Sequence, residues 1–359
     1  MKDKKSICII GQLPPPVHGL STALQTIIDN QYLNKEYSIN TIDIKENKRI
    51  INHVKNIIKN NSDLYYFTIS QSIFGNLRDM LILAILLKKK KKVILHYHGG
   101  YYKHLYEKMN KFQRYINRRL ISKIHIMIAL GDSLKSIFDD VISPEKIRVC
   151  ENYIEESSLT DDLSFNQKLD QLKSNSTLEV LYLSNFIKSK GYMDVLKSAK
   201  VLRNENIRFH FAGAFFTKVE KHEFLQLIKE WNLEETVYYH GIVKGEKKKE
   251  LLTKSHVFAL PTYYPYEGQP ISIIEAMGNG LTVITTNHAG IKDIVNNENG
   301  YFVNSQSPLQ ITDCLRTLSS QTQKIRFYAF NNRKSVLNRF KEKDYINRLE
   351  KIFNEVLYK

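Results

Sequence analysis

The sequence predicts an α/β protein built from two parallel-sheet domains. Strand-like and helix-like segments alternate along most of the chain, and such alternation builds parallel sheets with helices on both faces. The length of 359 residues is sufficient for two domains of ordinary size. A polar stretch at residues 157–177, SSLTDDLSFNQKLDQLKSNST, interrupts the alternation. We therefore predict one domain on each side of this stretch.

The composition is that of a soluble globular protein with an excess of positive charge. Apolar residues make up 42% and charged residues 25% of the chain. The 53 Lys and Arg residues against 37 Asp and Glu give a net charge of +16, which predicts acidic partners such as nucleotide phosphates, lipid phosphates or nucleic acid. Cys8, Cys150 and Cys314 lie far apart without metal-ligand spacing, so we interpret them as buried cytosolic thiols.

The N-terminal and most apolar segments bear on localisation. The sequence MKDKKSICII is charged and then only briefly apolar, which is not the pattern of a signal peptide. The most apolar run, residues 80–87, is far too short to span a bilayer. We expect a cytoplasmic protein whose contact with the inner face of the plasma membrane, if it has one, is peripheral.

The first predicted domain begins with a strand, a loop and a helix that together could bind a phosphate. Residues 6–10 form a short apolar strand, three prolines stiffen the loop, and Gly19 permits close approach of the backbone. The unit is not a dinucleotide fingerprint, because no G-x-G-x-x-G is present. Further strands are predicted at 38–43, 64–67, 93–97, 124–129 and 147–150, and helices at 48–59, 77–88 and 102–123.

The predicted helix at 102–123 is amphipathic and basic. Its apolar positions are Leu105, Met109, Phe112, Ile116 and Leu120. Much of the remaining surface is occupied by Lys103, Lys108, Lys111, Arg114, Arg118 and Arg119. One interpretation is a surface helix with a solvated basic face. The other is a patch for anionic lipid or a lipid-diphosphate acceptor, to which the lysine run 88–92 and the helix at 48–59 add. Sequence position alone does not separate the two.

The most informative stretch is residues 261–300, PTYYPYEGQPISIIEAMGNGLTVITTNHAGIKDIVNNENG. A strand at 257–260 leads into a tyrosine-rich loop, a two-turn helix at 270–277 and a strand at 282–286. Pro270 suits a first helical turn, and the free amides at such a helix start can bind a phosphate. Glu267 and Glu275 flank this anion site. Two carboxylates beside a phosphate suit a ligand with hydroxyls on both sides of a diphosphate, which is a nucleotide sugar.

This stretch resembles the donor site of retaining glycosyltransferases of family four. The matching features are Glu267, seven intervening residues, Glu275-Ala276-Met277, a glycine and the TVITT strand. The resemblance implies a GT-B fold, in which two Rossmann-like domains face each other across a donor and acceptor cleft. The domains would be 1–160 and 177–334, with a linker at 161–176 and a C-terminal helix at 335–359 that packs back on the first domain.

The resemblance also assigns roles to single residues. Glu267 would reach the sugar hydroxyls and Glu275 would hold the ribose. His98, at a predicted strand end, would lie under the donor sugar, so that His98 and Glu267 are the predicted catalytic residues. Gly19 would approach the diphosphate. His18 would face the acceptor or pack on the prolines.

The residues expected to bind the diphosphate depart in part from the family pattern. Lys190, followed by a glycine, matches the family lysine, but the arginine position falls on Ser184 with Asn185 beside it. Two neutral groups do not replace the charge of a guanidinium, so a contact would be supplied elsewhere, for example by Lys188. The predicted donor-binding residues are Gly19, Asn185, Lys190, Gly213, Val243, Glu267, Gly268, Gln269, Pro270, Ile271 and Glu275, with Gln269 and Ile271 acting through their amides.

These residues predict a retaining glycosyltransferase that uses a nucleoside diphosphate sugar, with uridine as the expected base. No D-x-D is present, so we expect no metal and no other cofactor. The expected acceptor is a saccharide or a lipid-linked saccharide, and nucleic acid is not an expected partner because the basic residues do not form one stripe. The alternatives are a protein glycosyltransferase and a catalytically inactive GT-B protein that binds nucleotide sugar. The missing fingerprint disfavours a Rossmann oxidoreductase.

Overall fold

Two parallel sheets make up the framework of the computed structural model. The model describes residues 4–15, 19–172 and 176–358, and within these residues each sheet has six strands. The chain divides into two units, one comprising the residues up to Glu151 together with those from Lys343 onward, and the other comprising Asn152–Glu342. The predicted α/β class with parallel strands and intervening helices is confirmed. No helix in the described residues is both long enough and apolar enough to span a membrane.

The first unit contains a sheet of strand order β2-β1-β3-β4-β5-β6. Its elements are β1 Lys5–Gly11, α1 Gly19–Asp29, α2 Gln31–Glu36, β2 Tyr37–Asp43, α3 Ile50–Lys59, β3 Leu64–Thr68, α4 Ile73–Lys88, β4 Lys92–His96, α5 Tyr102–Lys108, α6 Lys111–Ile121, β5 Ile126–Ala129 and β6 Ile147–Val149. Because crossovers between parallel strands are right-handed, α1 and α2 lie on one face of the sheet. The helices α3, α4 and α6 lie together on the other.

The predicted helix at 102–123 is interrupted in the structure. It ends as α5 at Lys108, and α6 starts at Lys111 because the Asn110 side chain caps it by accepting a hydrogen bond from the amide of Gln113 (2.8 Å). The predicted apolar face is correspondingly wrong at Phe112, which is 74% exposed. The side chains that α6 buries include Gln113 and Asn117, which hydrogen-bond Asn76 of α4 (3.0 and 2.9 Å).

The second unit has strand order β12-β11-β10-β7-β8-β9. Its elements are α7 Asp162–Gln171, β7 Leu178–Leu183, α8 Tyr192–Val201, β8 Ile207–Ala212, α9 Lys218–Glu230, β9 Val237–Gly241, α10 Gly245–Lys254, β10 Val257–Leu260, α11 Ile271–Gly278, β11 Thr282–Thr285, β12 Gly300–Phe302, α12 Pro308–Ser320 and α13 Thr322–Arg339. Buried aliphatic and aromatic side chains from both faces of this sheet form one continuous core. This core therefore holds the carboxyl ends of the central strands in fixed positions.

The stretch predicted as an interdomain linker contains a helix that belongs to the second unit. Helix α7 is capped by the Asp161 side chain, which accepts from the amide of Ser164 (2.9 Å). It buries Phe165 and Leu169 against Ala329 of α13. The units divide instead after Glu151, so the predicted boundary at residue 160 and the linker at 161–176 both differ from the structure. A capped helix with polar exposed positions is easily mistaken for a linker on composition.

The C-terminal segment returns to the first unit, but later than residue 335. Helix α14 spans Glu342–Leu357, and the chain groups with the first unit from Lys343 onward. The Phe353 ring makes edge-to-face contacts with Tyr37 and Tyr66, at centroid distances of 6.2 and 5.7 Å. Arg148 of β6 pairs with Glu355 at 2.5 Å. These contacts fix α14 on the face opposite α3, α4 and α6.

A buried lysine makes the stability of the second unit dependent on pH. Lys168 of α7 donates to the carbonyls of Ser255 (3.1 Å) and Asn279 (2.7 Å). Burial lowers its pKa from 10.5 to about 7, and the Arg333 charge adds to this effect. The unfolded chain therefore keeps a proton that the folded chain releases above neutral pH. Because the unfolded chain then binds more protons than the folded chain, the free energy of unfolding increases as pH increases.

We expect the free energy of unfolding of the second unit to rise by about 2 kcal/mol between pH 7 and about pH 9 because of Lys168. The single tryptophan, Trp231, lies at the end of α9 and reports on this unit through its fluorescence. In Lys168→Met this part of the rise should disappear. Equal pH dependence in both proteins would mean that the two carbonyls keep the ammonium charged.

Candidate functional site

The loop that joins β10 to α11 holds the candidate site in the second unit. Helix α11 begins at Ile271, one residue later than predicted, and Pro270 is its N-terminal cap without a side-chain capping bond. In the first turn, the Ile273 amide donates to the Pro270 carbonyl at 3.1 Å, whereas the amide of Ile271 precedes any intrahelical acceptor. The loop that carries Glu267 and Gly268 leads directly into this helix start. This arrangement favours a negatively charged group at the start of the helix.

Glu267 is a buried carboxylate held by a hydroxyl and a lysine. The Thr262 hydroxyl donates to its Oε2 at 3.2 Å, and Lys190 Nζ lies 3.4 Å from the same oxygen. Lys190 also lies over the ring of Tyr264, with Nζ 5.3 Å from the centroid. Burial and the Glu267 charge raise the pKa of Tyr264. The structure thus brings the predicted lysine and the predicted sugar-binding carboxylate together.

Glu275, within α11, has a matching environment. Lys248 of α10 lies 2.5 Å from its Oε1, and the Ser158 hydroxyl donates to the same oxygen at 3.4 Å. Burial raises the pKa of this carboxyl, and the Lys248 charge opposes the shift. Serine and lysine come from separate elements, a 3₁₀ turn at Glu156–Ser158 and helix α10. The carboxylate is therefore positioned by three parts of the second unit.

The two carboxylates share one pattern of anchoring. In each, a lysine and a hydroxyl contact one oxygen, Oε2 of Glu267 and Oε1 of Glu275. Among the described residues, the other oxygen of each carboxylate accepts no hydrogen bond. Carboxylates fixed in this way present an oriented acceptor to a hydroxyl group without needing to rearrange. The pattern suits recognition of a polyol on both sides of the helix start.

Two tight glycine turns join the surrounding loops. Gly191 has a φ of +79°, and a Cβ there would lie 2.5 Å from the Pro261 carbonyl oxygen. Gly213 has a φ of +147°, and a Cβ there would lie 1.9 Å from the Ser184 carbonyl oxygen. The loop after β7, which includes Asn185 and Lys190, therefore packs directly on the loops that follow β10 and β8. Asn185, Lys190, Gly213 and Glu267 lie in loops that follow the parallel strands β7, β8 and β10, whose carboxyl ends meet at one edge of the sheet.

Gln269 fixes the loop through its own side chain and backbone. Asn152 donates from its amide to Gln269 Oε1 and from its side chain to the Gln269 carbonyl, both at 2.7 Å. Gln269 Nε2 is buried, and no described residue accepts from it. The Gly268 carbonyl accepts from the Gly290 amide at 3.0 Å. A buried donor without a protein acceptor is a position where a bound ligand can supply one.

The predicted base-site residue Val243 has an inward side chain. It is buried in the hydrophobic core of the second unit, which leaves its backbone for contact with a base. The neighbouring Ile242 is 67% exposed. Tyr239 of β9 donates from its hydroxyl to the Gly213 carbonyl at 3.2 Å. The loops at Gly213 and Val243 are thereby held on adjacent strands.

His98, in the first unit, lies just beyond β4. Its ring stacks at a tilt on His96, with centroids 3.9 Å apart, and no described residue contacts its buried Nε2. Burial lowers the pKa of His98 to about 3, so the imidazole is neutral near pH 7. His96 hydrogen-bonds the Tyr66 hydroxyl at 2.5 Å and packs, as expected from its position. Gly99 allows Gln71 to lie close against this turn.

The remaining predicted residues of the first unit are Gly19 and His18. Gly19 is the first residue of α1, so the predicted strand and helix are present. His18 lies outside the described residues. No described His, Cys, Asp or Glu residues form a group of three or more that could hold a metal ion.

Lys248, Ser158 and Thr262 contact the two carboxylates but were not predicted. The lysine-rich segment at 244–252 had been interpreted as a solvated face, and this is wrong for Lys248, whose side chain turns toward Glu275. The sequence does contain a signal for the position of Lys248. This lysine lies three and four residues before the buried Leu251 and Leu252, which places it on the inner side of the helix. Ser158 and Thr262 are common polar residues without a distinguishing pattern.

Removing Lys248 should change the protonation of Glu275. In Lys248→Met we expect the pKa of Glu275 to rise further, because burial would no longer be opposed by a nearby cation. Nucleotide binding near pH 6 should then weaken more than binding near pH 8. Calorimetric titration at the two pH values measures this difference. The exposed neighbour Lys247→Met is the control, and an identical pH dependence in the two variants would contradict the role of Lys248.

Comparison with known proteins finds similarity to glycosyltransferases. A model of the family described as glycosyl transferases group 1 matches residues 165–335. The chain is 26% identical over 122 residues to the putative colanic acid biosynthesis glycosyltransferase WcaL of Escherichia coli, covering 33% of this chain and 30% of that protein. It is 25% identical over 243 residues to the capsular polysaccharide biosynthesis glycosyltransferase CapM of Staphylococcus aureus, covering 64% and 62%. The chain spans about a third of the length of the first curated relatives that it matches.

The fold agrees with solved glycosyltransferase structures. The crystal structure of Anabaena HepE in complex with UDP superposes with a TM-score of 0.78 at 14% identity, over 98% of this chain and 100% of that one. At this identity the likeness concerns the fold alone, and it confirms the predicted GT-B class. Residues 165–335 of this chain therefore match the glycosyl transferases group 1 family, and the chain has the GT-B fold.

Proposed function

We propose that this protein is a retaining glycosyltransferase that moves a sugar from a UDP-sugar to a saccharide or lipid-linked saccharide, without a metal ion. The observation that carries the proposal is the pair of buried carboxylates, Glu267 and Glu275, each anchored through one oxygen at the start of α11 or within it. Each presents its other oxygen to a hydroxyl-bearing ligand. Glu267 lies in the loop before α11 and Glu275 lies within the helix, an order along the chain that suits a ligand with polyol groups on both sides of a diphosphate.

The charges of the site support a diphosphate leaving group. Lys190 lies beside Glu267, and the amide of Ile271, the first residue of α11, precedes any intrahelical acceptor. A diphosphate gains negative charge as the glycosidic bond breaks, and preorganised donors stabilise that charge. Lys190, the amide of Ile271 and the loop before Gly19 are the groups that we assign to it. They supply this stabilisation without a metal, which is why we propose metal independence.

The sugar itself is assigned to Glu267 and His98. Glu267 would accept from sugar hydroxyls through its second oxygen. His98 is neutral near pH 7 because burial lowers its pKa to about 3, so it would hydrogen-bond the sugar as an uncharged imidazole. For retention, the acceptor hydroxyl attacks from the face that the diphosphate leaves, and we assign no covalent nucleophile to the chain.

The choice of uridine and of the acceptor class rests on relatives. HepE was crystallised with UDP, and WcaL and CapM are named for colanic acid and capsular polysaccharide biosynthesis. These names support a UDP-sugar donor and an acceptor in cell-surface polysaccharide synthesis.

Calorimetric binding of nucleoside diphosphates and their sugars tests the donor assignment. We expect micromolar binding of UDP and one UDP-sugar, equal with and without divalent metal. Binding of another base would overturn the uridine assignment, and binding only with metal would overturn metal independence. The anomeric configuration of the first product, followed by NMR, then tests retention. A protein that binds the donor but releases no UDP with any saccharide acceptor would instead be an inactive nucleotide-sugar-binding protein.

A further inference from the structure

The outer face of α3, α4 and α6 in the first unit is apolar, basic and free of exposed acid. The three helices are neighbours on one face of the sheet, since α4 packs against both α3 and α6. Their exposed large apolar side chains are Ile51, Ile58, Phe74, Leu77, Leu81, Phe112 and Tyr115. We call these residues the apolar stripe. Phe74 and Phe112 are 79% and 74% exposed, which is unusual for phenylalanine on a folded surface.

The basic residues of the same helices are exposed among the apolar ones. They include Lys55, Lys59, Lys88, Lys111, Arg118 and Arg119. The one acidic residue of these three helices, Asp79, is fully buried and paired with Arg78 at 2.7 Å. Acidic residues appear at the borders of the three helices. Asp139 and Asp140 line a groove of about 560 Å³ with Arg118 and Arg119, Glu46 pairs with Arg49 before α3, and Glu107 precedes α6. The face therefore combines a positive potential with side chains that water solvates poorly.

The polar network between α4 and α6 explains why this face is turned outward. Asn76 of α4 bonds Gln113 and Asn117 of α6, and these amides occupy the buried side of α6. Phe112 and Tyr115 are consequently directed to solvent. In a helix that packed by hydrophobicity alone, the amides would be outside and the aromatic rings inside. The described elements that cover the other face of the sheet, α1, α2 and α14, do not reach this one.

We propose that the α3–α4–α6 face is a membrane-docking surface that inserts Phe74 and Phe112 into an anionic lipid bilayer. Aromatic and aliphatic residues surrounded by Lys and Arg are the features by which proteins bind the interface of such membranes. The absence of exposed acid from the three helices favours a uniformly anionic partner over a protein surface of mixed charge. The proposal concerns residues of the first unit alone, and it does not depend on whether the chain transfers a sugar.

Vesicle co-sedimentation of the full chain tests the proposal. We expect binding to phosphatidylcholine vesicles only when they contain phosphatidylglycerol. The double variant Phe74→Ser/Phe112→Ser should weaken this binding by about tenfold for each phenylalanine removed from the bilayer. Arg118→Glu/Arg119→Glu should weaken it by about fivefold or more for each charge. The two phenylalanines and the two arginines are exposed. The circular dichroism spectrum and the affinity for nucleotide should therefore remain those of the parent protein.

Matched controls lie in the second unit. Leu309→Ser/Phe327→Ser removes exposed apolar side chains, and Lys218→Glu/Lys229→Glu reverses exposed charges of α9. Both controls should bind vesicles like the parent. Vesicle binding that persists in Phe74→Ser/Phe112→Ser would overturn the insertion. Duplex nucleic acid that binds more tightly than vesicles, and does so independently of the phenylalanines, would assign the face to a polyanion. A dimer that Phe74→Ser dissociates would assign it to a second copy.

Discussion

Glu275→Ala should weaken the binding of UDP by about 100-fold, because charge-assisted hydrogen bonds to two ribose hydroxyls are worth about 1.5 to 3 kcal/mol each. In the structure, Lys248 and Ser158 hold Oε1 of this carboxylate, and its other oxygen is the group that we assign to the ribose. Titration calorimetry of the parent and the variant with UDP measures the loss. Unchanged affinity would reject the ribose role.

Two further variants separate the loss of the Glu275 carboxylate from the effects of an unpaired lysine and of a changed net charge. Glu275→Ala leaves Lys248 half-buried without its partner, and an unpaired charge is itself destabilising. The double variant Glu275→Ala/Lys248→Met removes both charges. If the weak binding came only from the unpaired lysine, the double variant would bind UDP like the parent. Glu223→Ala, on the exposed surface of α9, is the control for a change of one charge.

Glu267→Gln should lower the turnover of the donor by roughly 100-fold, because misplacing the reacting sugar has an effect of this size. Binding of UDP should stay within a few-fold of the parent, since UDP lacks the sugar that Glu267 holds. The measurement is the initial rate of UDP release from the UDP-sugar that calorimetry identifies. A parallel loss in kcat and in kcat/KM would place the contact in the transition state.

Thr262→Val is the matched variant for this experiment. It keeps the Glu267 carboxylate but removes the hydroxyl that donates to its Oε2 at 3.2 Å. We expect a smaller loss of turnover than in Glu267→Gln, because Lys190 still anchors the same oxygen. If Thr262→Val were as slow as Glu267→Gln, orientation rather than charge would be the main contribution of Glu267. Full activity in Glu267→Gln would reject its assignment to the sugar.

The parts of the fold and site that local rules determine were predictable from the sequence. Pro270, the two glycines after α11 and the β-branched strand mark their element boundaries by backbone preference alone. Strand ends follow from the alternation of apolar runs, and parallel strands bring their carboxyl ends to one edge. That is why Lys190, Gly213 and Glu267, which are far apart in sequence, were expected together.

The parts that depend on tertiary packing were not predictable. Lys247, Lys248 and Lys249 are identical in type, and only the packing of α10 turns the middle one toward Glu275. Phe112 fits an apolar period, but the amide network around Asn76 turns that side of α6 outward. The helix at Asp162–Gln171 has the buried spacing of Phe165, Lys168 and Leu169. There a polar composition concealed a periodic pattern that could have been found.

The anchoring of each carboxylate by a lysine has an electrostatic consequence for the whole protein. Lys190 with Glu267 and Lys248 with Glu275 form locally neutral pairs, whereas α3, α4 and α6 carry exposed cations and no exposed acid. The proposed donor site therefore contributes little to the net charge of +16. Ionic strength screens exposed charges far more than buried pairs. We therefore expect added salt to weaken binding to an anionic surface far more than binding of a nucleotide at the proposed site.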